Sequence, residues 1–508
     1  MAISSSRSAN HLAIGKKKYD QIMMASSYAT PSTSSSPVNG FASISPEPRF
    51  NPFNSSSESS LTINSIDSQS CVYGEDGMLM SAGPDALWKK LLPTQDYEPP
   101  KKLVFTLLLN LRAYVSPAEM MQKLIQNCIF EQHTSLSNFN KHSHSKLFEH
   151  VFEFVSEWTT NIPYDFRTEE MRQRLSELFS LCATDPSQHR RCAKLTENLN
   201  RILAKRDHYE RAMRNLEAPY EVQVERVDQL VGLTSMGVTA QVVAQQLAHI
   251  ELERLSMIGV DEIVQTLGSS SLETLGEHNT DASGNIKYYI KWFNQLSSFT
   301  ATEILKHTKK KHRVRCIEFF IDLGKECINI GNFNSLMAIV AGISTQAVTR
   351  LKKTWQRVEK AKLEILQHQL NPSGNFVSYR ATLNAAIWRF EGAKNDNERV
   401  IIPFFGLLLK DLYMIHRSSL EPLPNGQLKI AMFAQFAQHM TNLIQWKDRP
   451  CPFKRNTSVL QYLLLSQTYS DNDLLNLSFE NEPPETPSER EQYKKLTENK
   501  SDSSSNKS

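Results

Sequence analysis

Three histidines, His142, His144 and His150, crowd into the stretch KHSHSKLFEH, and imidazole is a frequent ligand of transition metals. A metal site would need at least one further ligand in register. The cysteines, at positions 71, 128, 182, 192, 316, 327 and 451, are widely spaced and form no CxxC pair. The histidine cluster therefore reads more simply as a polar segment between helices, and no metal is expected. A second candidate is KHTKKKHRVR (306–315), with six lysines and arginines in ten residues. Such a run can meet phosphates, lipid headgroups or an acidic partner, or can be the solvated start of the helix that continues into CIEFFIDLG. The formal net charge is only +3, so no global field argues for nucleic acid, and weak association with anionic membrane is the best functional alternative. Phosphate loops of the GxxxxGK[ST] type, GxGxxG turns, HExxH and GxSxG are all absent from the sequence. Nothing here marks bond-making chemistry, and no cofactor is expected.

The elements that would carry a function without such chemistry are helices. The chain has 508 residues, 40% hydrophobic and 22% charged, an ordinary balance for two or three globular domains in a reducing, cytoplasmic setting. The longest apolar runs, LVFTLLLNL (103–111) and IIPFFGLLL (401–409), fall short of the roughly 18 residues a membrane span requires. Residues 1–72 are rich in Ser, Asn, Pro and Thr and read as a disordered arm, as does the tail 485–508. Between them apolar residues recur three and four apart, with no sustained alternation that would suggest a sheet. The expected architecture is all-α, with a first helical domain over 73–203, a linker over 204–222 and a second domain over 223–484. In SPAEMMQKLIQNC, Ser116 can cap a helix, Pro117 suits its first turn and Glu119 completes a capping box.

One stretch of the second domain raises a structural question. Trp355, Val358, Leu363, Leu366 and Leu370 form an apolar stripe, NPSGN (371–375) breaks it, and Phe376, Tyr379, Leu383, Ala386, Ile387 and Phe390 resume at helical spacing, with Asn375 available as a cap. Two helices joined so briefly lie antiparallel. The second would extend roughly 22 Å, enough to project from a domain body. The same pattern also suits two core helices.

Five blocks in a fixed order turn this question toward function: TAQVVAQQLAHIELERL (239–255), WFNQLSSFTATEIL (292–305), GNFNSLMAIVAGISTQAVTRLKKTW (331–355), IIPFFGLLLKDLYMI (401–415) and LLNLSFENEPP (474–484). Together they resemble the catalytic domain of the Ras-family guanine-nucleotide exchange factors. The first domain, especially LVFTLLLNLRAYVSPAEMMQKLI (103–125), is similar to the Ras exchanger motif (REM) module that precedes it. Within the family the chain most resembles the member-one subgroup of RasGEF-domain-containing proteins.

The resemblance implies that the helical hairpin is a wedge that opens the nucleotide site of a Ras- or Rap-type small GTPase, with Rap favoured by the subgroup. Leu383 aligns with the apolar residue that reaches the magnesium region of the GTPase, and Tyr379, Arg380 and Asn384 line the same stretch. Ile387 stands about where well-studied members carry an acidic side chain, and Ser256 lies near a position that is basic in some relatives; both departures bear on mechanism and partner choice. A non-catalytic adaptor that binds a GTPase is the alternative implied by the first. Asn332 resembles a family asparagine expected to hydrogen-bond at the hairpin base, where Arg350 and Trp355 would fix the exit of the hairpin. Lys410 and Asp411 are candidates for contact with the GTPase. The protein would then be a regulatory factor, drawn to membranes where its GTPase is anchored.

Overall fold

A computed structural model of the chain describes residues 70–135, 141–217, 232–268, 284–369 and 371–505. The arm up to residue 69, the linker segment 218–231 and Leu370 lie outside the described residues, as do the side chains of His142 and His144. Among the described residues the architecture is helical, as expected, with one small addition: strands β1 (Cys71–Tyr73) and β2 (Leu79–Ala82) pair antiparallel across a turn in which Gly77 takes φ 74°. So short a hairpin gives no alternation long enough to read in sequence. It is marginal by itself and is held by its neighbours.

The first helical unit comprises α1 (Pro84–Leu91), α2 (Lys101–Leu109), α3 (Pro117–Ser135), α4 (Lys141–Asn161), α5 (Glu169–Cys182) and α6 (Pro186–Glu217). The capping box opens α3 as anticipated: Ser116 N donates to Glu119 Oε2 (3.0 Å) and Glu119 N donates to Ser116 Oγ (3.2 Å). The stretch read as a polar loop around His142 and His144 is instead the first turns of α4, and His150 Nδ1 pairs with Thr94 O at 2.8 Å. Helix α6 continues through residue 203 into the segment read as a linker, because its apolar positions Leu195, Leu199 and Leu203 remain in the core of this unit.

The second unit contains α7 (Ala240–Met257), α8 (Val260–Gly268), α9 (Gly284–Leu305), α10 (Lys310–Ile330), α11 (Phe333–Ile343), α12 (Gln346–Thr349), α13 (Lys352–Trp355), α14 (Lys360–Gln369), α15 (Ser373–Glu391), α16 (Phe405–Leu420), α17 (Ile430–Lys447), α18 (Thr457–Leu465) and α19 (Asp471–Asn481). Its main core gathers α7, α9, α10 and α11, with Leu336, Ile339, Val340 and Ile343 of α11 all buried.

The tail is not an extended coil. Helix α20 (Pro487–Ser505) begins at a second capping box, in which Glu489 N donates to Thr486 Oγ1 (3.2 Å) and the Glu489 carboxylate accepts from Thr486 N (3.3 Å). Tyr493 and Leu496 pack on the main core, and the Tyr493 ring lies 5.1 Å from that of Phe479. Low apolar content hid this helix, which is stabilised by docking rather than by its own amphipathicity.

The two units are welded. Leu428, Ile430 and Phe433 at the start of α17 belong to the core of the first unit, while Leu109 of α2 joins a third cluster formed by α8, α9, α16 and α17. Asp261, fully buried, accepts from Tyr164 N (2.9 Å) and from Arg206 Nη1 (3.0 Å) across the same junction. A buried charge needs such partners, so the contact specifies one relative placement of the units.

Candidate functional site

The site is built from a turn outward. Gly331 ends α10 with φ 97°, and a Cβ there would stand 2.3 Å from Val400 O. That close approach lets residues 400–402 run beside the turn: Ile402 N donates to Gly331 O (2.9 Å) and Phe333 N donates to Ile402 O (2.9 Å). Asn332, fully buried, then caps α11 by accepting from Ser335 N (3.1 Å) and donates to Ser335 Oγ (3.0 Å). Beneath it the buried Glu251 carboxylate receives Ser335 Oγ (2.7 Å), Asn334 Nδ2 (3.1 Å) and Trp292 Nε1 (3.2 Å). Burial raises the pKa of Glu251, and these donors oppose the rise. Asn334 thus joins α11 to α7, Trp292 brings α9 to the same carboxylate, and Asn332 orders the start of α11, forming a base.

On that base stand α14 and α15, antiparallel as the sequence suggested. Leu363 and Leu366 bury one face of α14 against α10, while the tip residues Asn371, Ser373, Gly374 and Asn375 are exposed. The turn differs from expectation. Asn375 is not a side-chain cap: Gly374, Asn375 and Phe376 all take left-handed dihedrals, with φ 60°, 56° and 61°. Such geometry costs about 1 kcal/mol or more at a non-glycine residue. Burial of the Phe376 ring offsets it by about 2 kcal/mol. Arg380 Nε also donates to Asn375 O (2.8 Å), closing the turn.

Along α15 the expected residues separate by role. Tyr379 is buried, its ring edge-on to Phe333 at 5.6 Å, and its hydroxyl accepts from Phe404 N at 2.9 Å. It is a fixture of the hairpin rather than an exposed contact. Arg380 forms a bidentate pair with Asp411 of α16, both bonds 2.8 Å. Leu383 is half-buried on the core, Asn384 is exposed, and Ile387 is half-buried. All five border one groove of about 970 Å³, whose other walls include Leu407, His439 and Trp446 and, from the N-terminal unit, Met78, Met80 and Lys102. Lys410 is half-buried next to Asp411, and burial lowers its pKa.

Arg350 and Trp355, expected to support the hairpin, precede α14 in the chain. Trp355 Nε1 donates to Val348 O at 2.9 Å. Arg350 Nη1 donates to Ser478 O (2.9 Å) and Glu482 O (2.9 Å), Nε donates to Glu489 Oε1 (3.2 Å), and the guanidinium covers the Phe479 ring at 4.1 Å.

Sequence reasoning missed Glu482. Its carboxylate accepts from Lys353 N (2.9 Å), Thr354 N (2.9 Å) and Thr354 Oγ1 (2.7 Å), a helix cap delivered from far along the chain. It also missed Trp388, 68% exposed on α15, and the exposed Ile365 and Val377. Large apolar side chains off the buried positions of each helix were the available signal. The basic run proved smaller than its composition. Arg313 is buried and donates to Thr308 O (2.7 Å) and Asn481 Oδ1 (3.0 Å), Lys306 pairs with Glu303, and Lys309, Lys311, His312 and Arg315 remain exposed. Ser256 donates to Glu253 O in its own helix (2.7 Å).

A helical body that holds an apolar-edged hairpin beside a wide groove presents a surface suited to a protein partner, and among the described residues no grouping of three or more His, Cys, Asp or Glu is fit for a metal. The RasGEF domain matches residues 242–448 and the RasGEF N-terminal motif matches residues 78–178. Ras-GEF domain-containing family member 1B-A of Danio rerio is 38% identical over 442 residues, covering 84% of each chain. The family member 1B of Mus musculus is also 38% identical, over 85% of this chain and 93% of its own, and member 1C of Mus musculus is 36% identical, over 83% and 91%. The chain belongs to the RasGEF family, closely related to members 1B and 1C. Membership supports guanine-nucleotide exchange on a Ras-family GTPase, a regulatory activity without covalent chemistry of its own. No helix among the described residues is long and apolar enough to cross a membrane.

Proposed function

We propose that the chain releases GDP from a Ras- or Rap-type GTPase by inserting the α14–α15 hairpin between its switch regions, after which GTP loads. The observation that carries this reading is the division of α15 into a locked side and an open side. Tyr379 and Phe376 fix the helix to the body, while Leu383, Asn384 and Ile387 border the groove and Trp388 faces solvent. On the same reading residues 73–203 brace the hairpin and residues 223–484 carry exchange.

A GTPase that holds its nucleotide with a picomolar constant does so by roughly 16 kcal/mol, so release requires replacement contacts as the old ones break. Leu383 supplies an apolar intrusion toward the magnesium region. Partner and nucleotide then weaken each other's hold by the same factor. Weak attraction of Lys309, Lys311 and Arg315 to anionic membrane belongs to the same proposal and would fade with added salt.

The test is release of fluorescent GDP from a panel of Ras and Rap proteins. Leu383→Glu abolishes release while the thermal melt stays cooperative; undiminished release by that variant contradicts the insertion mechanism.

A further inference from the structure

The groove beside α15 is not closed by the exchange unit alone. Its far rim is the β1–β2 hairpin, where Met78, just before β2, and Met80, within it, both line the groove and are 46% and 43% exposed. The intervening Leu79 packs instead on the N-terminal core. Strand β2 is rigidly placed. Leu428 N donates to Ala82 O (3.0 Å), Ser81 Oγ donates to Gln427 Oε1 (2.7 Å), and Gln427 Nε2 donates to Ser70 Oγ (2.6 Å). The segment that carries Gln427 and Leu428 leads directly into α17, which forms the groove floor through Ala431, Ala434 and Gln435. Strand, floor and α15 therefore keep one geometry.

We infer that Met78 and Met80 contact the GTPase itself, so that the N-terminal unit helps choose the partner as well as bracing the hairpin. This rests on the exchange reading above. Leu383 and Ile387 line the same groove as these two thioethers, so a body that enters it along α15 faces the methionines from the opposite wall. Methionine suits that position, since its flexible, polarisable chain adapts to an apolar partner face. Neither side chain is enclosed by the protein's own core, so their exposed area is available to a partner.

The experiment uses the full chain and the GTPase that it discharges fastest in the panel. Joint replacement Met78→Glu with Met80→Glu lowers kcat/KM about tenfold, the scale of losing two well-packed interface contacts, chiefly through KM. Val72→Glu, an exposed change on the same hairpin but off the groove, matches the parent. If the glutamates lower the melting temperature, the neutral pair Met78→Ser with Met80→Ser replaces them and must still raise KM. A kcat/KM within about twofold of the parent, measured where Leu383→Glu abolishes release, overturns the contact. A parent chain that discharges no GTPase of the panel overturns the exchange reading, and this contact falls with it.

Discussion

Arg380 of α15 and Asp411 of α16 grip each other through two parallel 2.8 Å hydrogen bonds, although both residues were candidates for contact with a partner. Fork-to-fork geometry fixes orientation as well as distance. The pair therefore sets the tilt of the hairpin, and a GTPase that reached either group would meet it already engaged.

Both side chains are about a third or a quarter exposed, so the pair contributes modestly to stability. A double-mutant cycle with Arg380→Met and Asp411→Asn in urea unfolding should give a coupling of about 1 kcal/mol. On the insertion mechanism proposed above, exchange should fall further than stability.

Tyr379→Phe removes one oxygen and leaves Phe404 N without its acceptor in the interior. The expected loss is about 1 to 3 kcal/mol in chemical denaturation, more than an exposed tyrosine would cost. No loss would mean that the hydroxyl does not hold the segment 400–404.

Arg350→Ala strips donors from Ser478, Glu482 and Glu489 at once and uncovers Phe479. Stability should fall by about 2 to 4 kcal/mol. Limited proteolysis should then cut within 485–505 before elsewhere, since α20 loses its main polar anchor to the body.

Glu262, buried beside Ile286 N (2.9 Å) and Asn285 Nδ2 (3.3 Å), has its pKa pushed from 4.5 up to about 7, chiefly by burial. A folded-state value above the unfolded one means that the folded protein keeps the proton longer. The stabilisation is complete below about pH 4.5 and disappears as pH rises through about 7. Melting curves of the parent and Glu262→Gln should therefore diverge over that interval. The parent should lose on the order of 2 to 3 kcal/mol relative to the variant, and parallel curves would refute the shift.

Much of this protein was legible because it is local. The period of apolar residues located the helices, Ser116 and Glu119 announced a cap, and NPSGN announced a turn between two amphipathic runs. The ordered blocks led to the family. Less visible were features whose cause lies elsewhere in the chain. The left-handed turn at Gly374–Phe376 depends on where the Phe376 ring is buried, and α20 depends on Phe479 and Arg350.

By itself, then, the sequence determined helix periods, caps, breaks and kinship, since these arise from residues within a few positions of one another. Only the tertiary structure decided which polar groups meet: Arg380 with Asp411 across 31 positions, Thr354 with Glu482 across 128, and Ser81 with Gln427 across 346. Hydrogen bonds and ion pairs act over a few ångströms, and which groups come that close is settled by how whole helices pack. The same packing turned Tyr379 inward, left Trp388 in solvent and set two methionines of the N-terminal unit at the groove's rim.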